Sequence, residues 1–540
     1  MSLKRIPVVF LFAIVLYGCA KFVPPTGGDR DITPPKLIKS TPVDKQLNFK
    51  ERQIRLLFDE LVDSKNLKQE LIITPEQKGR YKVRNRGEEV ELEFEEGFEE
   101  NTTYTLSFGA GIKDINEQNK ADNLKLVFST GSELDSLKVG GSVTNLFTKE
   151  GVIGATIGLY KMSSPDTLPL INRKPDYFIK SDSSGNFQLE NLKSDNYRIL
   201  SFTDKNGNQK FDNKKEMFGF IQDTIKLSEN KAGISLELFP YDTIPPKYKR
   251  FIQKEKTYAL KFDESLYKVE VGFEEKSDSI PYIIIEDEVR FFKMGTPKDS
   301  VMISLILSDS LLNNDTLKHT ITFREEDQRS KQSNEILKIS VTPTNSSSTT
   351  QNEPYIFSFD YPLIQIDSNK ISVSDDTLNT VRYKARFVDS SKTRVEVSLL
   401  ERITKSVVLK ADKGAFINIL SDSSTAFTLK NPLLNKSELG LIAGNIEIRD
   451  SVQAQYIIQL LNATNNKIER VLISQDGKFT FENIRPEEYT LQAIVDSNSN
   501  GVWDTANFGK GTPPERVINL KEPIRVKANF EFRDINIPNQ

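Results

Sequence analysis

Gln53-Ile54-Arg55-Leu56-Leu57-Phe58 and, thirty-odd residues on, Glu89-Val90-Glu91-Leu92-Glu93-Phe94 alternate apolar with polar side chains. A period of two is the signature of a strand with one face on a core and the other in water. Tyr104-Thr105-Leu106-Ser107-Phe108 and Leu124-Lys125-Leu126-Val127-Phe128 repeat the pattern, each bounded by Gly, Asn, Asp or Ser. Short alternating strands separated by turn residues predict β-sandwiches. The chain has 540 residues, too many for one core, and nothing after residue 20 has the pattern of a long amphipathic helix. A short helix is expected around Ser64–Glu70. The fold class read from the sequence is therefore all-β, a tandem array of about five sandwiches.

Internal repeats place the boundaries. Pro42 and the pair Phe58-Asp59 recur at one constant offset as Pro343 and Phe359-Asp360. Asp242-Thr243-Ile244-Pro245-Pro246-Lys247 echoes Asp31-Ile32-Thr33-Pro34-Pro35-Lys36, and Phe262-Asp263-Glu264 echoes Phe58-Asp59-Glu60, with a different spacing between the two motifs. A second repeat type pairs Phe187-Gln188-Leu189-Glu190-Asn191-Leu192 with Phe479-Thr480-Phe481-Glu482-Asn483-Ile484, and at the same offset Gly185 meets Gly477, Tyr197 meets Tyr489 and Asp204 meets Asp496. The expected units are 31–133, 134–241, 242–327, 334–434 and 439–540.

The first residues have a different layout. Lys4 and Arg5 precede an apolar run from Ile6 to Leu16, which ends in Leu16-Tyr17-Gly18-Cys19. The run is about half the ~20 residues of a membrane span and has the form of a signal peptide. Cys19 is the chain's one cysteine, so no disulfide can form within the chain. The expectation is a signal peptide over 1–18, a lipidated tether over 19–30, and a covalent lipid on Cys19. Each buried methylene contributes ~0.8 kcal/mol, so several acyl chains hold the protein on its membrane.

Composition narrows the function. The formal charge is −3 with both signs abundant, which opposes a nucleic-acid partner. His319 is the sole histidine, set in an alternating run and expected to face solvent. A cysteine nucleophile and a Cys/His zinc site are thereby excluded, and a serine–histidine triad would rest on His319 alone. No catalytic residue is assigned, the chain is read as not an enzyme, and no small-molecule substrate is evident.

Leu16-Tyr17-Gly18-Cys19 resembles the bacterial lipobox. Ala20, where an aspartate is absent, resembles sorting to the outer membrane, and Lys21–Asp31 lacks the acidic run of a surface-export signal, which implies the periplasmic face rather than the cell surface. The segment from Asp31 to Gly131 resembles the bacterial Ig-like domain of surface-layer and Bacteroidota lipoproteins. Leu137–Phe239 and Leu439–Asn536 resemble the prealbumin-like sandwiches of carboxypeptidase regulatory domains and adhesin B repeats, with the signature Gly-x-Phe-x-Φ-x-Asn-Φ before a tyrosine strand. Such modules usually serve as stalks, so the resemblance implies a rod on a lipid anchor.

After that strand both repeats place an oxygen-rich loop. One reads Asp204-Lys205-Asn206-Gly207-Asn208-Gln209-Lys210-Phe211-Asp212, the other Asp496-Ser497-Asn498-Ser499-Asn500-Gly501-Val502-Trp503-Asp504. Side-chain oxygens at positions 1, 3, 5 and 9, with the backbone carbonyl of Lys210 or Val502 at position 7, are spaced to wrap a hard cation. The candidate ligands are thus Asp204, Asn206, Asn208, Lys210 and Asp212, and Asp496, Asn498, Asn500, Val502 and Asp504. The loops resemble calcium loops of EF-hand, dockerin and adhesin-B type, with departures. Gln209 stands where the turn glycine belongs, Glu216 falls one place late, and Asn507 replaces the second loop's glutamate. These imply weak, structural Ca²⁺ binding at ~10⁻⁴ to 10⁻³ M. The alternative is an Asx-rich hairpin connection. Trp503, the only tryptophan, is expected to plug its loop onto its own sandwich.

The leading reading is a non-catalytic, membrane-anchored scaffold, accessory to an envelope assembly, export or uptake complex, with an outer-membrane or periplasmic protein as partner. The alternatives are an adhesin-like glycan or peptidoglycan binder and, behind it, a carboxylate hydrolase.

Overall fold

The computed structural model describes residues 31–538 apart from 78, 164–168, 255, 275–278, 294–299, 324–336, 352 and 448–453. Residues 1–30, with Cys19 and the tether, lie outside the described residues. Alternation in the opening stretch becomes burial: Ile54, Leu56 and Phe58 are at most 1% exposed, and Arg55 between them faces water. The chain is nearly all-β, a tandem array of β-sandwiches, with a four-residue helix at Leu67–Glu70.

Three sandwiches share one plan. In the first, Leu37–Thr41, Gln53–Phe58, Glu89–Phe94 and Tyr81–Arg86 form one sheet in that order, and Ile72–Thr74, Thr103–Ser107 and Lys125–Ser129 form the other. The third repeats it with Tyr248–Gln253, Thr257–Phe262, Glu288–Phe292 and Tyr282–Ile285 over Lys268–Phe273, Ser300–Ser308 and Asn314–Thr322. The fourth has Ile339–Thr342, Tyr355–Phe359, Arg394–Leu399 and Tyr383–Phe387 over Ile371–Ser374, Ser406–Ala411 and Phe427–Pro432. The repeated Phe-Asp pair has two jobs. Phe58 and Phe262 enter the core, while Asp59 and Asp263 accept the backbone N–H of Lys36 (2.7 Å) and Lys247 (2.6 Å), pinning the proline-led entry of each sandwich.

The second and fifth sandwiches share another plan. Leu137–Asn145 lies between antiparallel Asn186–Leu192 and parallel Lys231–Pro240, and Gly440–Ile446 lies likewise between Lys478–Ile484 and Glu531–Ile537. A parallel neighbour presses here: a Cβ on Gly141 would stand 1.8 Å from the Ile234 carbonyl oxygen, and one on Gly444 1.9 Å from that of Ile535. Only glycine fits either position. The repeat signature has a backbone cause as well, since Gly185 and Gly477 (φ 83° and 75°) and Asn191 and Asn483 (φ 56° and 55°) all adopt the left-handed conformation.

Each sandwich has its own apolar core, and a sixth cluster joins two of them. Tyr160, Phe202, Phe211, Phe218, Phe239 and Tyr241 of the second sandwich pack with Ile457, Ile494, Ala506 and Val517 of the fifth. The array is therefore folded back, and the rod implied by the family resemblance is corrected: outward apolar faces of the two repeats remove each other from water, the dominant favourable term in such contacts. Contacts also run in chain order. Lys214 pairs with Asp263 (3.0 Å) and Glu264 (2.5 Å) between the second and third sandwiches. The ring of Phe292 meets Tyr361 between third and fourth, and Arg485 donates to the Ser348 carbonyl (2.8 Å) between fifth and fourth. Sandwiches two to five thus close a circuit, and the first adjoins the second through Asn191 and Thr105 (2.9 Å).

Candidate functional site: two Asp/Asn loops at a shared core

Both loops leave the strand that carries the signature tyrosine, Asp195–Phe202 in the second sandwich and Glu488–Asp496 in the fifth. Their hydrogen bonds correspond one by one. Asp204 accepts the N–H of Asn208 (3.0 Å) and of Gln209 (3.0 Å), as Asp496 accepts those of Asn500 (3.1 Å) and Gly501 (2.8 Å). Asn206 Oδ1 accepts from Asn208 N and Asn498 Oδ1 from Asn500 N. Asn208 Oδ1 accepts from Lys210 N (2.7 Å) and Asn500 Oδ1 from Val502 N (2.9 Å). Across each loop the two amide nitrogens donate to the last aspartate: Asn206 and Asn208 to Asp212, Asn498 and Asn500 to Asp504.

The departures from the calcium pattern look different in three dimensions. Gln209 adopts φ 63° and Gly501 φ 82°, while Gly207 and Ser499 adopt 72° and 59°. The missing glycine in the first loop therefore leaves the turn intact, at the cost of a strained glutamine. The glutamate is present in both. Glu216 accepts from Lys205 N (2.8 Å) and Asp212 N (2.9 Å), and Glu515 takes the same two places, on Ser497 N (2.7 Å) and Asp504 N (3.1 Å). Glu515 was missed because it arrives from much farther along the chain. Asn507, counted as its replacement, instead accepts the N–H of Lys510.

The donor set is oxygen throughout, as a hard cation requires. Carboxylates crowd the first loop: burial pushes the Glu216 carboxyl above its ordinary value, backbone donors pull it back, and the charges of Asp212 and Asp204 push it up again. A cation would relieve that repulsion. To admit one, the loop must surrender its amide-to-carboxylate bonds and turn Asn206 and Asn208 over, so the ion competes with a loop that already satisfies itself.

Position 8 of each loop is aromatic and enters the shared core. Phe211 is 8% exposed, with its ring 4.8 Å from Phe218 and 5.9 Å from Tyr241. Trp503 reaches across the interface to Phe147, ring centres 5.0 Å apart, and its Nε1 donates to the Glu515 carbonyl (3.0 Å). Trp503 is thus fixed to its own sandwich, as expected, and in addition covers Phe147 of the second. The contact is sealed by Gln492 Nε2 and Asn519 Nδ2, both donating to the Phe147 carbonyl, and by Thr505 Oγ1 donating to that of Pro240 (2.7 Å).

Residues 31–130 match the family described as bacterial Ig-like domain. No curated protein matches the chain in sequence. Among solved structures it is similar to the major pilin subunit of Bacillus cereus, at 11% identity over 74% of this chain and 99% of that one, with a TM-score of 0.15. It is similar also to surface layer protein SbsC, domains 1-6 (10% identity, 92% and 67% covered, TM-score 0.15), and to a tetra-tandem repeat in the extending region of a large adhesion protein (10%, 71% and 98%, TM-score 0.15). At such TM-scores these likenesses decide nothing about function.

His319 is corrected too. It lies half-buried in the strand Asn314–Thr322, its Nε2 2.8 Å from the Tyr258 hydroxyl, and burial lowers its pKa. Lys318 and Thr320 on either side take the solvent positions.

Proposed function

We propose that the chain is an exported lipoprotein, acylated on Cys19 and held at the outer membrane facing the periplasm, where a folded-back array of sandwiches serves as a non-catalytic scaffold for an outer-membrane or periplasmic protein. The observation that carries this reading is the shared core of the second and fifth sandwiches. It converts linked modules into one body with fixed surfaces, as a scaffold needs and a flexible stalk does not. The two loops are structural calcium sites in this proposal, holding Phe211 and Trp503 in that core.

Purification of the full-length protein from detergent-solubilised membranes tests it. A palmitate label lost in Cys19→Ala, with one envelope protein retained at stoichiometric ratio, is the expected result; an unlabelled chain purifying alone would contradict it. Calcium is tested on the full chain, because an isolated 439–540 fragment would expose Ile457, Ile494 and Val517. At 10 mM calcium and a Kd of ~1 mM, mass action adds about 1.4 kcal/mol per site, read as a rise in Tm; no rise would remove calcium from the account.

A second reading has its own observation. Beside the shared core runs a cleft of about 980 Å³ whose walls include Phe147, Trp503, Gln459 and Arg516. Glycan retention without a protein partner in the same purification would favour it.

A further inference from the structure

Among the described residues, the third sandwich lacks a piece that its two siblings have. In the first, the connection 42–52 crosses from one sheet to the other and lies along the closing strand Lys125–Ser129. Lys45 N donates to Val127 O (2.6 Å), Ser129 N to Gln46 O (2.8 Å) and Phe49 N to Ser129 O (3.0 Å), with Gln46 and Phe128 bridged in parallel. The fourth does the same with connection 343–354: Ser346 N donates to Lys430 O (3.0 Å), Thr349 N to Pro432 O (3.0 Å), and Thr349 bridges Leu433 in parallel. Beyond its opening proline, Pro42 or Pro343, each covering segment buries a side chain, Phe49 or Thr349, both 1% exposed.

In the third sandwich only three residues separate the corresponding strands, Tyr248–Gln253 and Thr257–Phe262, and Lys254 N donates to Thr257 O (2.8 Å). Its closing strand Asn314–Thr322 pairs, among the described residues, with Ser300–Ser308 alone. The side chain of Gln253 reaches Thr322 O (2.9 Å) at one end. Next to this strand, where a sibling's covering segment would run, Phe251 is 51% and Tyr248 37% exposed. The Phe251 ring stacks on Tyr258 (5.3 Å, 8°), and both Phe251 and Tyr248 adjoin His319. An edge unpaired among the described residues, with an apolar shelf beside it, is a template for another strand.

Charge selects the occupant. Lys249, Arg250 and Lys318 on the two edge strands, and Lys254 just past one of them, are exposed and make no ion pair among the described residues, whereas the acid on the strand, Asp315, is already held by Lys247 (3.1 Å). A second copy would bring the same cations against themselves. We propose that Asn314–Thr322, with Phe251 and Tyr248, forms a strand-receiving slot for an extended acidic segment of a partner protein, paired parallel to that strand and seating one apolar side chain on Phe251. The siblings supply the geometry and the exposed cations the specificity, in the manner of strand addition at a sheet edge. This deepens the scaffold reading, on which it rests for the existence of a partner.

The test uses full-length protein in detergent and labelled peptides of residues 42–50, one made acidic by Lys45→Glu and Lys50→Glu, one kept basic by Asp44→Lys. The acidic peptide should bind, lose about tenfold in affinity on moving from low to high salt, and protect 314–322 from hydrogen exchange. Phe251→Asp, a change at an exposed position, should weaken it by about tenfold through like charge and lost contact. A chain in which 42–52 replaces 254–256 should show protection without peptide and bind none. Absence of protection by either peptide, equal binding of the basic one, or protection that grows with protein concentration alone would overturn the slot or its acidic occupant. Because the peptides read the slot itself, their failure would leave the purification result standing.

Discussion

Single residues in the loops hold opposite balances of strain and satisfaction. Gln209 occupies a left-handed backbone position that glycine fills in the other repeat, so Gln209→Gly should stabilise the protein by about 1 kcal/mol and Gly501→Gln destabilise it by a similar amount. Thermal melts of the two variants check both signs. Glu515 is 8% exposed and receives two backbone N–H groups and the Ser497 hydroxyl. Removing its carboxylate in Glu515→Ala leaves buried donors unpaired, at about 2–4 kcal/mol. Trp503, the lone tryptophan, donates to the same residue's carbonyl, so its fluorescence should shift red in this variant before global unfolding; an unchanged spectrum would separate Glu515 from the interface. The aspartate and asparagine spacing was legible in the sequence because it is local. Glu515 was not, since its approach depends on how far the intervening loop travels.

Among elements, the Lys214 junction is the most sharply charged. Burial works against its ammonium, and the hydrogen bonds it donates to Glu264 and Asp263 outweigh that, so its pKa lies above the ordinary 10.5. Beside it Asp242, Glu264 and Asp309 bring carboxylate oxygens within 4.8 Å of one another. Lys214→Met would leave those charges without their cation, costing about 2–3 kcal/mol. For a base whose folded pKa is raised, the contribution is complete below the unfolded value and lost as pH rises through the folded one. The difference in stability between wild type and Lys214→Met should therefore be flat through neutral pH and narrow only above about 10.5; narrowing near neutrality would contradict the assignment. Strand alternation around Ile54, Leu56 and Phe58 was readable in the sequence alone, and so was the odd spacing in the third sandwich. Its meaning, a covering segment left out, needed the siblings' hydrogen bonds.

At the scale of the whole molecule the decisive feature is the contact between sandwiches far apart in sequence. Phe211 and Phe218 carry no local mark of their partner, because an aromatic that faces another module and one that faces its own interior obey the same alternation. Nothing in local pattern reports which partner covers an outward face. The fold class therefore followed from periodicity, while the folded-back arrangement followed only from long-range packing. The two candidate cation loops inherit a role from that arrangement, since each places its aromatic residue in the joint.

Thr148 and Lys521 are exposed and stand on the second and fifth sandwiches, lining the same cleft. Spin labels at these two positions in a Cys19→Ala background, measured by pulsed dipolar spectroscopy on the full chain, test the shared core directly. The folded-back array predicts one narrow population of short distances. A rod would place two intervening sandwiches, each of radius of gyration ~13 Å, between the labels, and a distribution centred beyond ~60 Å would contradict the account.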